Sequence, residues 1–139
     1  NLNGVRNMTH ILYVEDDPFS RDVVRMAQRM SPDISGLTVF DDSRDFEHKL
    51  LELQPQPDLI LLDIHMKPFS GFEMLKMIRS HAEFDRTYVV ALTASVMNEE
   101  VRMLQEAGFQ GGISKPLHLE IFPELIQRIM NGERIWHVW

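Results

Sequence analysis

Five polar residues that could bind a cation or a phosphoryl group each follow a short apolar run of the chain. In chain order they are Glu15, Asp16, Asp63, Thr93 and Lys115. Carboxylates are the usual ligands of hard cations, and lysine complements phosphate oxygens. If the apolar runs are strands of one parallel sheet, the carboxyl ends of those strands bring all five residues to the same edge.

The run that precedes Asp63 is the most strand-like segment of the sequence. Residues 59–62 are all Leu or Ile, a proline lies shortly before them, and a loop containing Pro68 and Gly71 follows. This composition predicts a central strand that is buried on both faces, with Asp63 at its C-terminal end. A lone aspartate at that place could equally cap a helix or lie in a loop, so the interpretation depends on the other four residues.

Strand-like and helix-like segments alternate along the whole chain. Apolar runs predict strands at 10–14, 37–40, 59–62, 88–92 and 111–114. Apolar residues at helical spacing predict helices at 19–30, 43–53, 71–80 and 98–107, and a last helix that ends near 130. Short connections between strands and helices imply right-handed crossovers. We therefore predict an α/β fold with a doubly wound, five-stranded parallel sheet and five helices.

Local signals add detail to the predicted helices. Pro18 suits the first helical turn, because its missing N–H costs nothing there. Ser43 and Asn98 precede apolar helical patterns and are predicted N-caps, and Gly108 is predicted to end the fourth helix. Three phenylalanines fall on the apolar helix faces and are predicted to lie in the core: Phe19, Phe46 and Phe72.

The composition excludes several classes of function. The chain has no cysteine, which rules out disulfides, thiolate zinc sites and cysteine nucleophiles and fits a cytoplasmic protein. No apolar run approaches the roughly 18 residues of a membrane span. The net charge of −7 argues against direct binding of nucleic acid, which needs clustered lysine and arginine.

Three carboxylates at one sheet edge repel each other unless a cation neutralises them. Mg²⁺ is the favoured ion, because it takes oxygen ligands and is often completed by phosphate oxygens. Ca²⁺ is less favoured, because the sequence has no continuous oxygen-rich loop. An aspartate in this setting can act as a nucleophile and form an aspartyl phosphate.

As a set, these motifs resemble the receiver domains of bacterial two-component response regulators. The motifs are Glu15-Asp16, Asp63 with Gly71 eight residues later, Thr93-Ala94 thirty residues after Asp63, and Lys115-Pro116 twenty-two after Thr93. Residues 113–116 resemble single-domain receivers of the cell-cycle type in particular. The resemblance implies a flavodoxin-like (βα)5 fold and a receiver domain over 9–131, preceded by an extension at 1–8 and followed by an aromatic tail at 132–139.

The resemblance also implies a metal site. Glu15, Asp16 and Asp63 would hold Mg²⁺, with the backbone carbonyl of His65 as a further ligand. Asp17 would be a flanking acid that does not bind the metal.

The resemblance assigns the phosphoryl chemistry to four residues. Asp63 would accept a phosphoryl group from the phosphohistidine of a sensor histidine kinase or phosphotransfer protein. Lys115 would contact a phosphoryl oxygen, and the Thr93 hydroxyl and the Ala94 N–H would bind others. The Lys115–Pro116 bond would be cis. The chain would then alter its affinity for an unknown downstream protein, and would not be an enzyme in the ordinary sense.

One departure from the family pattern matters for signalling. Gly112 stands where an aromatic residue commonly couples to the threonine. Without a ring at this position, the usual threonine–aromatic switch cannot operate as described. A receiver-fold interaction module that works without phosphorylation is therefore the alternative function. A magnesium-dependent phosphohydrolase ranks last, because position 65 is histidine where such an enzyme needs a second acid.

The C-terminal tail contains two tryptophans, Trp136 and Trp139. Large apolar side chains are costly to leave in water. We expect the tail to fold back on the surface of its own domain, and a contact with a partner or a second copy in a homodimer is the alternative.

Overall fold

The computed structural model describes residues 9–94 and 97–137. The predicted N-terminal extension at 1–8 and Trp139 lie outside these ranges. The described chain forms one parallel sheet with the strand order β2-β1-β3-β4-β5-β6. The strands are β1 (Thr9–Val14), β2 (Ile34–Phe40), β3 (Leu59–Asp63), β4 (Tyr88–Thr93), β5 (Gly111–Ser114) and β6 (Ile135–His137). The predicted doubly wound parallel sheet is confirmed, with one strand more than expected.

Helices cover both faces of the sheet. They are α1 (Pro18–Arg29), α2 (Phe46–Leu51), α3 (Gly71–Arg79), α4 (Asn98–Ala107) and α5 (Phe122–Met130). The apolar residues of α1 and α5 pack in one cluster, and those of α2, α3 and α4 pack in another on the opposite face. Within the described ranges, no helix is long and apolar enough to cross a membrane.

The strands are apolar along their length because both faces of the sheet are covered. Successive residues of β1 alternate between the two clusters: Ile11 and Tyr13 pack with α1 and α5, whereas Leu12 and Val14 pack with α2 and α3. All five residues of β3 are buried. The central strands therefore form a rigid support for the polar residues that follow them.

The sixth strand comes from the C-terminal tail. β6 pairs in parallel with β5, and Trp136 lies opposite Gly112. Residues 135–137 therefore fold back onto their own domain, as expected for the tail. The sequence prediction missed the strand because a three-residue strand has too few positions for a recognisable period.

The second strand and the second helix differ from their predicted bounds. β2 begins three residues earlier than predicted, and α2 has only six residues. Ser43 is not an N-cap: its buried hydroxyl accepts a hydrogen bond from the Phe69 N–H at 2.8 Å. Asp45 occupies the cap position with a left-handed backbone (φ 58°).

The ends of the other helices follow local chemistry. Pro18 begins α1 as predicted, and the Asp17 carboxylate before it accepts the Ser20 N–H at 2.9 Å. Gly108 ends α4 with φ 105°, also as predicted. Asn98 is not the cap of α4 but its first residue, and Met97 occupies the cap position.

Two of the three predicted core phenylalanines are packed and one is not. Phe46 is fully buried and Phe72 packs against the same cluster, but Phe19 is 70% exposed. The prediction for Phe19 was wrong because α1 buries a neighbouring stripe that contains Val24 and Ala27. Both stripes fit the helical period, and only the rotation of α1 on the sheet selects between them.

Candidate functional site

The strand order reverses at β1, and the site lies at that point of the sheet edge. Crevices of this kind are where open α/β sheets bind ligands. Glu15 and Asp16 follow β1 directly, and Asp63 is the last residue of the neighbouring β3. Thr93 ends β4, and Lys115 follows β5 by one residue. The parallel pairing of these strands therefore brings all five residues to one edge.

The three acids form a compact oxygen cluster. One carboxylate oxygen from each of Glu15, Asp16 and Asp63 lies within 4.8 Å of the other two. Glu15 and Asp63 are buried, whereas Asp16 is exposed. Oxygen ligands at this spacing suit a hard divalent cation that keeps several waters, and the exposed Asp16 leaves one side open. The donor set therefore fits a divalent metal ion.

The Lys115 side chain bridges the two buried acids. Its Nζ lies 3.1 and 3.2 Å from the two Glu15 oxygens and 3.3 Å from Asp63 Oδ2. Burial by itself lowers the pKa of Lys115, but the charges of Asp63 and Glu15 outweigh burial and raise this pKa overall. The lysine therefore stays protonated and offsets part of the negative charge. The Lys115–Pro116 bond is cis, as predicted.

Glu15 has more contacts than the sequence indicated. The Tyr13 hydroxyl donates to Glu15 Oε1 at 2.9 Å, and the Asp17 N–H donates to Oε2 at 3.2 Å. Arg21 Nη1 donates to the Glu15 backbone carbonyl at 3.0 Å. Burial first, and then the nearby Asp63 carboxylate, raise the pKa of Glu15, while Lys115 and the Tyr13 hydroxyl oppose the rise.

Tyr13 is a site residue that sequence reasoning missed. Burial and then the Glu15 carboxylate raise the pKa of its phenol, so it remains a hydrogen-bond donor. A usable signal was present in the sequence. A buried tyrosine near the end of a strand needs a partner for its hydroxyl, and an acid two residues later in the chain is close enough to supply one.

The loop after Asp63 is held close to the site. The exposed His65 donates its backbone N–H to Asp63 Oδ1 at 3.1 Å, while the role of its carbonyl as a metal ligand stays a prediction. A Cβ atom on Gly71 would lie 3.0 Å from Ile64 Cα and 3.1 Å from the Asp63 carbonyl oxygen. Glycine is therefore required where α3 begins beside this loop.

Thr93 and Ala94 lie at the same edge on the next strand. Thr93 is buried, and its carbonyl accepts the Lys115 N–H at 2.8 Å. Ala94 follows and is exposed. The backbone bond fixes the end of β4 to the residue that carries the site lysine. The contacts of Thr93 and Ala94 with phosphoryl oxygens stay a prediction.

Two known response regulators are similar to this chain in sequence. The nitrate/nitrite response regulator protein homolog of Haemophilus influenzae is 30% identical over 125 residues, which are 90% of this chain and 58% of that protein. The polar-differentiation response regulator DivK of Brucella ovis is 34% identical over 97 residues, which are 70% of this chain and 72% of that protein. The chain thus spans little more than half of the first relative and nearly three quarters of the second.

Solved structures show the same architecture. The Mn²⁺-bound form of the response regulator Rcp1 superposes with a TM-score of 0.70 at 27% identity and covers 87% of this chain and 91% of its own. Residues 11–129, which run from β1 through most of α5, match the profile of the response regulator receiver domain. The chain therefore belongs to the response regulator receiver domain family and is a receiver of two-component signal transduction.

Proposed function

We propose that Asp63 is the phosphoacceptor of this receiver. The observation that carries the proposal is the position of the Asp63 carboxylate, which lies 3.3 Å from Lys115 Nζ and within a cluster of acid oxygens. In the transfer, an Asp63 oxygen bonds to phosphorus while the P–N bond of a phosphohistidine breaks, and the imidazole leaves. Phosphoryl transfer needs mainly positioning and charge neutralisation, which this site can provide.

Separate residues of the site would act on separate parts of the phosphoryl group. Lys115 would leave Glu15 in part and bind a phosphoryl oxygen, because its ammonium group already lies beside Asp63. The Thr93 hydroxyl and the Ala94 N–H would bind the other oxygens from the end of β4. The chain would catalyse only its own phosphorylation and dephosphorylation, as a step in signalling.

We further propose that Mg²⁺ is the cation of the site. Glu15, Asp16, Asp63 and the His65 carbonyl would hold it, and when bound it neutralises charge on the carboxylates and on the phosphoryl oxygens. The Mn²⁺-bound form of Rcp1 supports a divalent metal in a related receiver. Asp17 would not be a ligand, because its carboxylate caps α1 through the N–H and the hydroxyl of Ser20.

The donor would be a sensor histidine kinase or a phosphotransfer protein, and the output would be altered binding of a downstream protein. The similar proteins do not favour the alternative of a module that works without phosphorylation, which rests on the missing side chain at Gly112. If the following experiment gives no phosphoryl adduct on the wild-type protein, that result supports this alternative.

The substitution Asp63→Asn tests the phosphoacceptor. We expect incubation of the wild-type protein with a small acyl phosphate and Mg²⁺ to add one phosphoryl group, and we expect no adduct in Asp63→Asn, because an amide oxygen is a poor nucleophile. Intact mass measures the adduct. Asp17→Asn is the matched control, since asparagine also caps helices well. An adduct of equal yield in Asp63→Asn would place the phosphoacceptor elsewhere.

Binding of Mg²⁺ should stabilise the protein in a pH-dependent way. The raised pKa of Glu15 means that its contribution to stability is present below about pH 4.3, the ordinary value, and is lost as the pH rises through its folded-state pKa. Mg²⁺ binds the ionised form, so its stabilising effect should grow over the same rise in pH. At 100 times the dissociation constant the gain is about 2.7 kcal/mol.

Thermal unfolding with and without Mg²⁺ between pH 4 and pH 8 measures this effect. We expect Asp16→Asn to reduce the Mg²⁺-induced rise in Tm and Asp17→Asn to leave it unchanged. An equal rise in Tm at every pH would show that Mg²⁺ does not bind the titrating acids.

A further inference from the structure

The most informative contact outside the site joins Gly112 on β5 to Trp136 on β6. The two residues lie opposite each other in the parallel pairing of these strands. A Cβ atom on Gly112 would lie 3.0 Å from Cε3 and 3.2 Å from Cζ3 of Trp136. The indole ring therefore lies directly on the glycine backbone.

The space between β5 and α4 can hold the ring of Trp136 or a side chain on residue 112, but not both. The same Cβ atom would lie 3.3 Å from Cδ1 of Leu104 on α4, so a side chain at position 112 would meet both the ring and the helix. Trp136 is half-buried and packs against the core cluster that contains Leu104. The ring thus takes the place that a side chain of residue 112 would have between β5 and α4.

This position is connected to the site through neighbouring strands. Gly112 pairs with Ala91 on β4, and two residues later Ser114 pairs with Thr93. Side chains two residues apart on a strand share a face, so Trp136 covers the same face of the sheet on which Thr93 lies. The backbone carbonyl of Thr93 also accepts a hydrogen bond from the Lys115 N–H. A movement of Thr93 would therefore reach the packing between β4, β5 and α4.

We propose that Trp136 is the aromatic residue that couples the Asp63 site to α4, supplied by β6 where residue 112 has no side chain. The inference rests on the proposed phosphorylation of Asp63. New phosphoryl oxygens draw the Thr93 hydroxyl toward Asp63. This movement changes the packing of the Trp136 ring beside Leu104. Trp136 then repacks, and the exposed side of α4 changes with it. Trp136 is a positioning residue in this arrangement, because it does not touch the reacting atoms.

Fluorescence of a single tryptophan tests the coupling. Trp139→Phe leaves Trp136 as the only tryptophan of the chain. We expect an acyl phosphate with Mg²⁺ to change its emission, and we expect Asp63→Asn in the same background to abolish the change. Intact mass is measured on the same samples. A full adduct with unchanged emission would overturn this inference alone, whereas the absence of any adduct would overturn the proposed function and this inference with it.

Moving the aromatic ring from β6 to β5 tests whether a ring in this space is what couples the site to α4. Coupling between sites is typically worth about fivefold in affinity or more. We therefore expect Trp136→Ala to shift the apparent dissociation constant for beryllofluoride, a phosphoryl analogue, by about fivefold with Mg²⁺ present. The double variant Gly112→Tyr with Trp136→Ala returns a ring to the same space and should restore the wild-type value. Equal dissociation constants in wild type and Trp136→Ala, or no restoration in the double variant, would overturn the proposal.

Discussion

Lys115→Met should lower the free energy of unfolding by about 3–5 kcal/mol near pH 7.5, which is the usual cost of removing one partner from a buried ion pair. The Lys115 side chain is only 18% exposed, and both of its acid partners are almost completely buried. Methionine keeps the length of the side chain but leaves Glu15 and Asp63 facing each other without a cation. The loss is a large share of the roughly 5–15 kcal/mol that stabilises a domain.

The cost of this substitution should depend on pH. The raised pKa of Lys115 means that its contribution to stability is fully present below its ordinary value of about 10.4 and is lost only as the pH rises through its folded-state pKa. The partner acids set the other limit. As the pH falls through the raised pKa of Glu15, this acid takes up a proton and the lysine has less charge to offset, so wild type and variant should converge in stability.

Denaturant unfolding at several pH values measures the difference, with Lys115→Arg as the control that keeps the charge. We expect Lys115→Arg to retain most of the stability. Formation of the acyl-phosphate adduct should be about 100-fold slower in Lys115→Met, the usual cost of losing one donor to a developing oxyanion. Equal stability of Lys115→Met and wild type at pH 7.5 would show that the lysine does not offset the buried acids.

Phe46→Ala should lower the free energy of unfolding by about 3–5 kcal/mol, because it leaves a cavity in the core. Phe46 is fully buried at the start of α2 and meets Phe40 edge to face, with 6.2 Å between ring centroids. Phe19→Ala is the matched control. Phe19 is 70% exposed, so removal of its ring should change stability by no more than about 0.5 kcal/mol.

Urea unfolding of Phe46→Ala and Phe19→Ala measures the loss of stability through the midpoint and slope of each transition. An unchanged slope with a lower midpoint for Phe46→Ala would show that stability alone changed. If Phe19→Ala were as destabilising as Phe46→Ala, α1 would have to bury a different face from the one in the structure. The comparison therefore also tests the rotation of α1 on the sheet.

The position of β6 bears on where a downstream protein could bind. In the structure, β6 covers the edge of β5, so this side of the sheet ends in the tail strand and not in β5 itself. A partner that binds beside α4 would meet the segment that carries Trp136, which is where we propose that phosphorylation changes the packing.

The sequence by itself determined the order of the first five strands and the five helices, and the residues at the ends of those strands. Runs such as 59–62 are apolar because both sheet faces are covered, and this composition is visible in the sequence itself. Asp63 and Lys115 could be placed at one edge because parallel strands with short crossovers must end together. Pro18 and Gly108 marked helix ends because their effect on the backbone is local.

Only the tertiary structure decided which residues meet across the sheet. Phe19 and Val24 lie on two stripes that fit the same helical period, and the packing of α1 on the sheet chose between them. The position of the Trp136 ring over Gly112 depends on the register between β5 and β6. The sequence showed that residue 112 lacks a side chain, but only the pairing of β6 with β5 brings a residue 24 positions away into that space, because such a contact has no local signal in the chain.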